Sequence, residues 1–325
     1  MQDIPFYKIT TSAQFEQAAI QAFMHQYANN EVYARFCHLL HIDANAVTRV
    51  SQIPFMPISF FKEYKVLASQ QPVQTIFTSS GTTGNTTSKH YVTDTSLYEE
   101  SFTSCFNMHY GNIADFTVLA LLPSYLDRSG SSLIYMVDHF IKQSKNPKSG
   151  FYLNELNKLA ATLKKMDASG EKTLLIGVSF ALLDLIENYD FQLKNTMIME
   201  TGGMKGRRKE LVREELHARL KKGFGVNQIH SEYGMTELLS QAYSCGNGIF
   251  TTPPWMDIHI RDTEDALTPV KPGKTGGINV IDLANSNSCP FIATQDLGRK
   301  LDSNRFEVLG RFDQSDIRGC NLMVL

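Results

Sequence analysis

Between Phe77 and His90 the chain reads Phe-Thr-Ser-Ser-Gly-Thr-Thr-Gly-Asn-Thr-Thr-Ser-Lys-His, hydroxyls and glycines mixed, with a lysine near the end. Gly81 and Gly84 allow positive φ and close backbone approach, so successive N–H groups can converge on one anion. Thr78, Ser79, Ser80, Thr82, Thr83, Thr86 and Thr87 add hydroxyl donors, and Lys89 adds a positive charge. An apolar run (Val73, Ile76, Phe77) leads into the segment. Chemically this is a loop for wrapping phosphates. A plain Ser/Thr/Gly linker is the competing reading. A Walker-type loop does not fit, because the G-x-x-x-x-G-K-[ST] spacing is missing.

A second segment, His230-Ser-Glu-Tyr233-Gly234-Met-Thr236-Glu237, ends in a carboxylate suited to Mg²⁺, which favours one or two carboxylates plus phosphate oxygens. Thr294-Gln-Asp296 and Gly310-Arg311-Phe-Asp-Gln-Ser-Asp-Ile-Arg318-Gly319 follow in order, and Gly202-Gly203 closes the apolar run at 196–199. Taken together, the ordered segments resemble the adenylate-forming superfamily of acyl-CoA synthetases, adenylation domains and firefly-type luciferases. The resemblance spans residues 77 to 319.

That resemblance implies ATP and Mg²⁺ as cofactors and assigns roles. Residues 78–84 would hold the triphosphate, with Lys89 either on a phosphate or merely a surface charge. Gly202, Gly203 and Tyr233 would flank the adenine, with Gly234 turning the chain. Thr236 would face the α-phosphate and Glu237 would carry the metal. Asp296 would accept from the ribose hydroxyls, and Arg311 would lie near ribose and phosphate.

One branch shares the early ending of this chain, the acyl-protein synthetases of bacterial bioluminescence. It is similar in the Ser-Ser-Gly-Thr-Thr-Gly loop, in Leu122-Pro-Ser-Tyr125-Leu, and in Asp-Ile-Arg-Gly-Cys320. The resemblance implies adenylation of a carboxylic, typically fatty, acid and passage of the acyl group to Cys320. A thiolate is a good acceptor, and Arg318 nearby favours it. An acyl-CoA reductase or acyl-carrier protein is the implied partner. An acyl- or aryl-CoA ligase completed by a separate chain stays open, as does an inactive nucleotide-binding scaffold. Gly177-Val-Ser179-Phe-Ala181 approaches a nucleophile elbow but lacks its last glycine. Ser179, Phe180 and Ala181 are instead read as packing along the acyl pocket.

These residues need a scaffold that holds them at the ends of elements. Thr11 and Gln14 form a capping box before an amphipathic helix. A helix is expected from Asp94 to His109, stopped by Gly111. Strands are expected at Phe116–Leu122, Thr173–Val178 and Thr196–Met199, with helices over 154–166 and Arg207–Lys222, the latter stopped by Gly223. This alternation predicts an α/β fold with largely parallel layered sheets. From about residue 246 short β runs (Ile258–Arg261, Gly277–Leu283, Phe291–Thr294) replace helices. The expected organisation is therefore an α/β body over 1–245 and a small β-rich subdomain over 246–325.

With 325 residues, 42% hydrophobic and 20% charged, the chain can bury a large core. Lys+Arg 31 against Asp+Glu 33 gives a net charge of −2, so neither nucleic acid nor an anionic membrane is attracted in general. There is no signal-like N-terminus and no apolar run of about 20 residues. The five cysteines, Cys37, Cys105, Cys245, Cys289 and Cys320, show no metal-ligand spacing. A cytoplasmic enzyme is the expectation.

Overall fold

Val118–Leu121 and Leu174–Ile176 have no polar face, and both runs are buried along their whole length. Such strands belong in the middle of a sheet covered on both sides. A computed structural model describes residues 5–79, 87–122, 130–153, 155–202, 211–271 and 273–312. Its elements in chain order begin with α1 (Ser12–Asn29), α2 (Glu31–Leu39), β1 (Met56–Pro57), α3 (Phe60–Glu63), β2 (Thr75–Thr78), β3 (Lys89–Val92), α4 (Thr95–Tyr110) and β4 (Thr117–Leu121). Then come α5 (Ser132–Ser144), β5 (Gly150–Phe151), α6 (Leu156–Ser169), β6 (Thr173–Val178), α7 (Ser179–Asn188), β7 (Thr196–Thr201), α8 (Arg213–Phe224) and β8 (His230–Tyr233). After it come β9 (Ala242–Ser244), β10 (Ile249–Thr251), β11 (Met256–Arg261), β12 (Thr275–Asp282), a 3-10 turn at Leu283–Asn285, β13 (Phe291–Lys300) and β14 (Arg305–Arg311).

Strands β5, β4, β6, β7 and β8 are parallel neighbours in that order. From β8 the sheet continues antiparallel through β9, β10, β14, β13, β12 and β11, and β1 adds to β13 in parallel, making twelve strands among the described residues. The fold is a mixed α/β architecture. The change of texture near residue 246 falls in the β9–β10 turn, across which main-chain pairing runs on without a break. β2 and β3 form a separate two-stranded hairpin.

The capping box appears as the sequence requires, with Gln14 N–H donating to Thr11 Oγ1 at 3.3 Å and Thr11 N–H to Gln14 Oε1 at 3.2 Å. Asp94 caps α4 and Gly111, at φ 85°, ends it. The helix expected over Arg207–Lys222 is corrected: α8 starts at Arg213, with residues 203–210 outside the described ones. Gly223 lies inside α8 rather than beyond it. A Cβ there would stand 2.5 Å from Ile186 Cβ, so this glycine lets α7 and α8 approach, and Gly225 (φ 70°) makes the C-cap instead. Gly223→Ala is expected to cost about 1–3 kcal/mol through overpacking. A urea melt checks it, and an unchanged midpoint would refute the close-packing account.

Candidate active site

The hairpin β2–β3 flanks the Ser/Thr/Gly segment. Thr78, at the end of β2, donates its N–H to Gly130 O at 2.7 Å and lies opposite Lys89 at the start of β3. Ser79 closes the stem: its N–H reaches Ser88 O at 3.2 Å and its hydroxyl accepts from Ser88 N–H at 2.9 Å. Lys89 is exposed. Ser80, Gly81, Thr82, Thr83 and Gly84 lie outside the described residues, as do Tyr125, Gly203, Arg318 and Cys320.

The stem touches the second segment directly. Buried His90 Nδ1 lies 2.8 Å from Thr236 O, and Ser88 beside it helps to hold the Glu237 carboxyl down. Glu237 O accepts from Asn285 Nδ2 at 2.8 Å, and the same amide donates to Cys289 O at 3.0 Å. These donations orient Asn285 so that its Oδ1 meets His90 Nε2 at 2.9 Å. Leu239 N–H and Ser240 N–H both donate to Asp282 Oδ2, at 2.7 and 2.9 Å. The stretch from Thr236 to Ser240 is thus pinned to β3, to the end of β12 and to the loop that follows it.

Glu237 is 5% exposed, and burial raises its carboxyl above the usual range against the pull of Ser88, its own backbone N–H, Arg311 and Lys62. A carboxylate stripped of water, facing cations at a distance and hydroxyls nearby, has the donor chemistry of a Mg²⁺ ligand completed by phosphate oxygens. The metal fits there.

On the other flank, Tyr233 donates its hydroxyl to Asp296 Oδ2 at 2.9 Å, and Arg311 Nε stands 3.3 Å from Asp296 Oδ1. Burial raises the Asp296 carboxyl, and Arg311, Tyr233 and Arg261 oppose it. The Tyr233 ring is buried edge-on against Phe250 and Phe306. Asp296 N–H donates to Thr294 Oγ1 at 3.1 Å, which sets the carboxylate at the bulge of β13. Gly202 follows β7 with φ 67°, and its carbonyl accepts from the buried Ser179 hydroxyl at 2.8 Å. Ser179 therefore holds the end of β7 and is not a free nucleophile. Gly234 follows β8, where a Cβ would come 2.5 Å from Glu232 Oε1.

Several members of the site have no signature in the sequence. His90 and Asn285 meet across 195 positions, too far apart for any local pattern to announce. Glu232 accepts from Thr201 Oγ1 at 2.5 Å on the neighbouring strand, and burial pushes its carboxyl up to about 7. Glu200 is held below the usual range, despite burial, by His217, Arg213 and Ser231. Burial also pushes the His90 imidazole from its ordinary 6.5 down to about 4. The folded state then stays neutral at His90 while the unfolded chain takes a proton, so stability is lost as pH falls from about 6.5 towards 4. At pH 5 this group is expected to account for about 2 kcal/mol of acid destabilisation. The difference between unfolding free energies from urea melts at pH 7 and pH 5 should shrink by about that amount in His90→Asn; an equal difference in both forms would refute the assignment.

A large mixed α/β sheet, a separate β-hairpin bonded to the segment that follows β8, and Tyr233, Asp296 and Arg311 brought together from β8, β13 and β14 make an architecture that matches adenylate-forming enzymes. A crystal structure of 2-hydroxyisobutyryl-CoA ligase with its acyl-AMP and CoA has the same fold at 11% identity (TM-score 0.66, 95% of this chain and 71% of that one). ATP-bound MatB from Rhodopseudomonas palustris is similar at 16% identity (TM-score 0.54, 75% of this chain and 49% of that one). The chain belongs to the acyl-protein synthetase family, LuxE, which matches residues 7–99 and 128–325. A long-chain-fatty-acid–luciferin-component ligase from Vibrio harveyi is 24% identical over 93% of this chain and 84% of its own length. A ligase of the same name from Photorhabdus luminescens is 34% identical over 70 residues, 21% of this chain and 60% of its own length.

Proposed function

We propose that the protein activates a carboxylic acid, a long-chain fatty acid by analogy with its Vibrio relative, as an acyl-adenylate and then moves the acyl group to Cys320. The observation that carries the first half is the bond from the β2–β3 hairpin to the Thr236–Glu237 segment, His90 to the main chain of Thr236. One substrate oxygen must attack the α-phosphorus of ATP while the bond from that phosphorus to the β-bridging oxygen breaks and pyrophosphate leaves. The chain's part is to hold the triphosphate and the reacting acid in line. Glu237 would hold Mg²⁺, which when bound spreads the phosphate charge. Asp296, which accepts from Tyr233 and pairs with Arg311, would accept from the ribose hydroxyls.

In the second half a thiolate attacks the acyl carbonyl, a thioester forms and AMP leaves with the bonding pair. Among the described thiols, Cys37, Cys105 and Cys289 are buried, and burial pushes Cys37 to about 11 and Cys289 to about 12. Cys245 is exposed but follows Ser244, which pairs with Ser231 at the start of β8, whereas Glu237 lies beyond the strand's other end. These four are poor acceptors, which supports Cys320. A reductase or an acyl-carrier protein would then take the acyl group onward. No helix among the described residues is long and apolar enough to cross a membrane.

The test is pyrophosphate release with a panel of acids, followed by intact mass with and without coenzyme A. Acid-dependent pyrophosphate with a hydroxylamine-sensitive mass gain is the expected result. Release of free acyl-CoA without acyl-protein would favour a CoA ligase, and no pyrophosphate with any acid would refute the reading.

A further inference from the structure

We propose that Glu232 and Gln241 form the floor of an acyl pocket and select a carboxylic acid that carries a hydrogen-bond donor, a hydroxyl or an ammonium, on its chain. This selection rests on the adenylation reading above and deepens it by naming the substrate class.

Sheet register brings the pair together. β7, β8 and β9 set Thr201 opposite Glu232 and Glu232 opposite Tyr243, so these three side chains share one face. Helix α4 covers that face, with the Phe106 ring edge-on to Tyr243 and Cys105 Sγ donating to Gln241 O at 3.3 Å. Tyr233, one residue on, points to the opposite face and meets Asp296. Gly234 follows, and its missing side chain matters. A Cβ there would stand 2.5 Å from Glu232 Oε1 and 3.4 Å from Gln241 Cγ. The carboxyl and the amide side chain therefore flank one spot just past the carboxyl ends of β7 and β8. In open α/β sheets that is where ligands bind.

Both groups present acceptors that lack a donor. Thr201 Oγ1 donates to Glu232 Oε2, and Glu232 Oε1 has no hydrogen bond among the described residues. Gln241 is 3% exposed, yet its Oε1 has no hydrogen-bond partner. Glu232 also makes no salt bridge among the described residues, and it is only half-buried, so a ligand can reach it. A buried acceptor left unpaired costs about 1–3 kcal/mol. A plain alkyl chain laid over the pair would shut both acceptors off from water and offer them nothing. A hydroxyl or an ammonium at that spot donates to them, and an ammonium also balances the carboxylate.

The experiment measures pyrophosphate release with ATP and Mg²⁺ for butanoic and dodecanoic acids, each beside its 2- and 3-hydroxy and 2- and 3-amino forms. It compares the wild type with Glu232→Leu, Gln241→Leu and Glu232→Gln. In the wild type a hydroxy or amino form should exceed the unsubstituted acid of its length in kcat/KM by about ten- to a hundredfold. Either leucine form should cut that ratio to below about threefold while raising kcat/KM for the unsubstituted acid. General damage to the fold would lower both acids together and leave the ratio standing. Glu232→Gln keeps an acceptor and drops the charge, so a preference for an amine should fall and one for a hydroxyl should persist. Should the leucine forms not fold, Glu232→Gln and Gln241→Met give the comparison at nearly unchanged volume. Unsubstituted acids used as well as the substituted ones by the wild type, or a ratio the same in every variant, would overturn the selection alone and leave the pair holding ordered water. No pyrophosphate from any acid would overturn it together with the adenylation reading.

Discussion

Glu237→Gln is expected to lower Mg²⁺-dependent pyrophosphate release by about a hundredfold or more while leaving the thermal midpoint within a few degrees of the wild type. The substitution removes one negative charge and almost no volume. The main-chain bonds of this stretch are untouched, since Asn285 holds Glu237 through its carbonyl. Burial makes the carboxyl reluctant to ionise, so the folded protein alone gains little from its charge, and a cation is the partner that makes the charge useful. The check is a titration of turnover against Mg²⁺ in both forms. Unchanged turnover with an unchanged metal midpoint would remove Glu237 from the metal site.

Cys320→Ser should abolish the stable acyl-protein species while pyrophosphate release continues. The hydroxyl is a far weaker nucleophile than a thiolate at neutral pH, so the second half-reaction is lost and the first is not. Transfer requires the attacking atom to reach about 3–3.5 Å from the acyl carbon, which serine does not prevent. Intact mass before and after hydroxylamine decides between the outcomes. An equal hydroxylamine-sensitive gain in the serine form would show that another thiol is acylated. Loss of both pyrophosphate and acyl-protein would instead place Cys320 in the adenylation step.

Much of this protein was readable before any coordinates. Capping chemistry at Thr11 and Asp94, and the wholly apolar runs that became β4 and β6, are local signals, and each element formed where its own residues required. Glycine was less legible, because a turn and a tight helix contact select it equally; Gly223 proved to be the second kind, with Ile186 as the reason. β13 runs on past Thr294 to Lys300, and β14 has no clear alternation, since ladder bonds to their neighbours hold residues of modest propensity in place. The order of Tyr233, Glu237, Asp296 and Arg311 along the chain was visible as residue types at characteristic spacings. Their meeting was not. Tyr233 to Asp296 spans 63 positions and His90 to Asn285 spans 195. Residue type sets what a side chain can do and periodicity sets its element, both within a few turns of chain. Which carboxylate loses its water, and which cation or imidazole stands beside it, depends on contacts that exist only after the sheet has assembled.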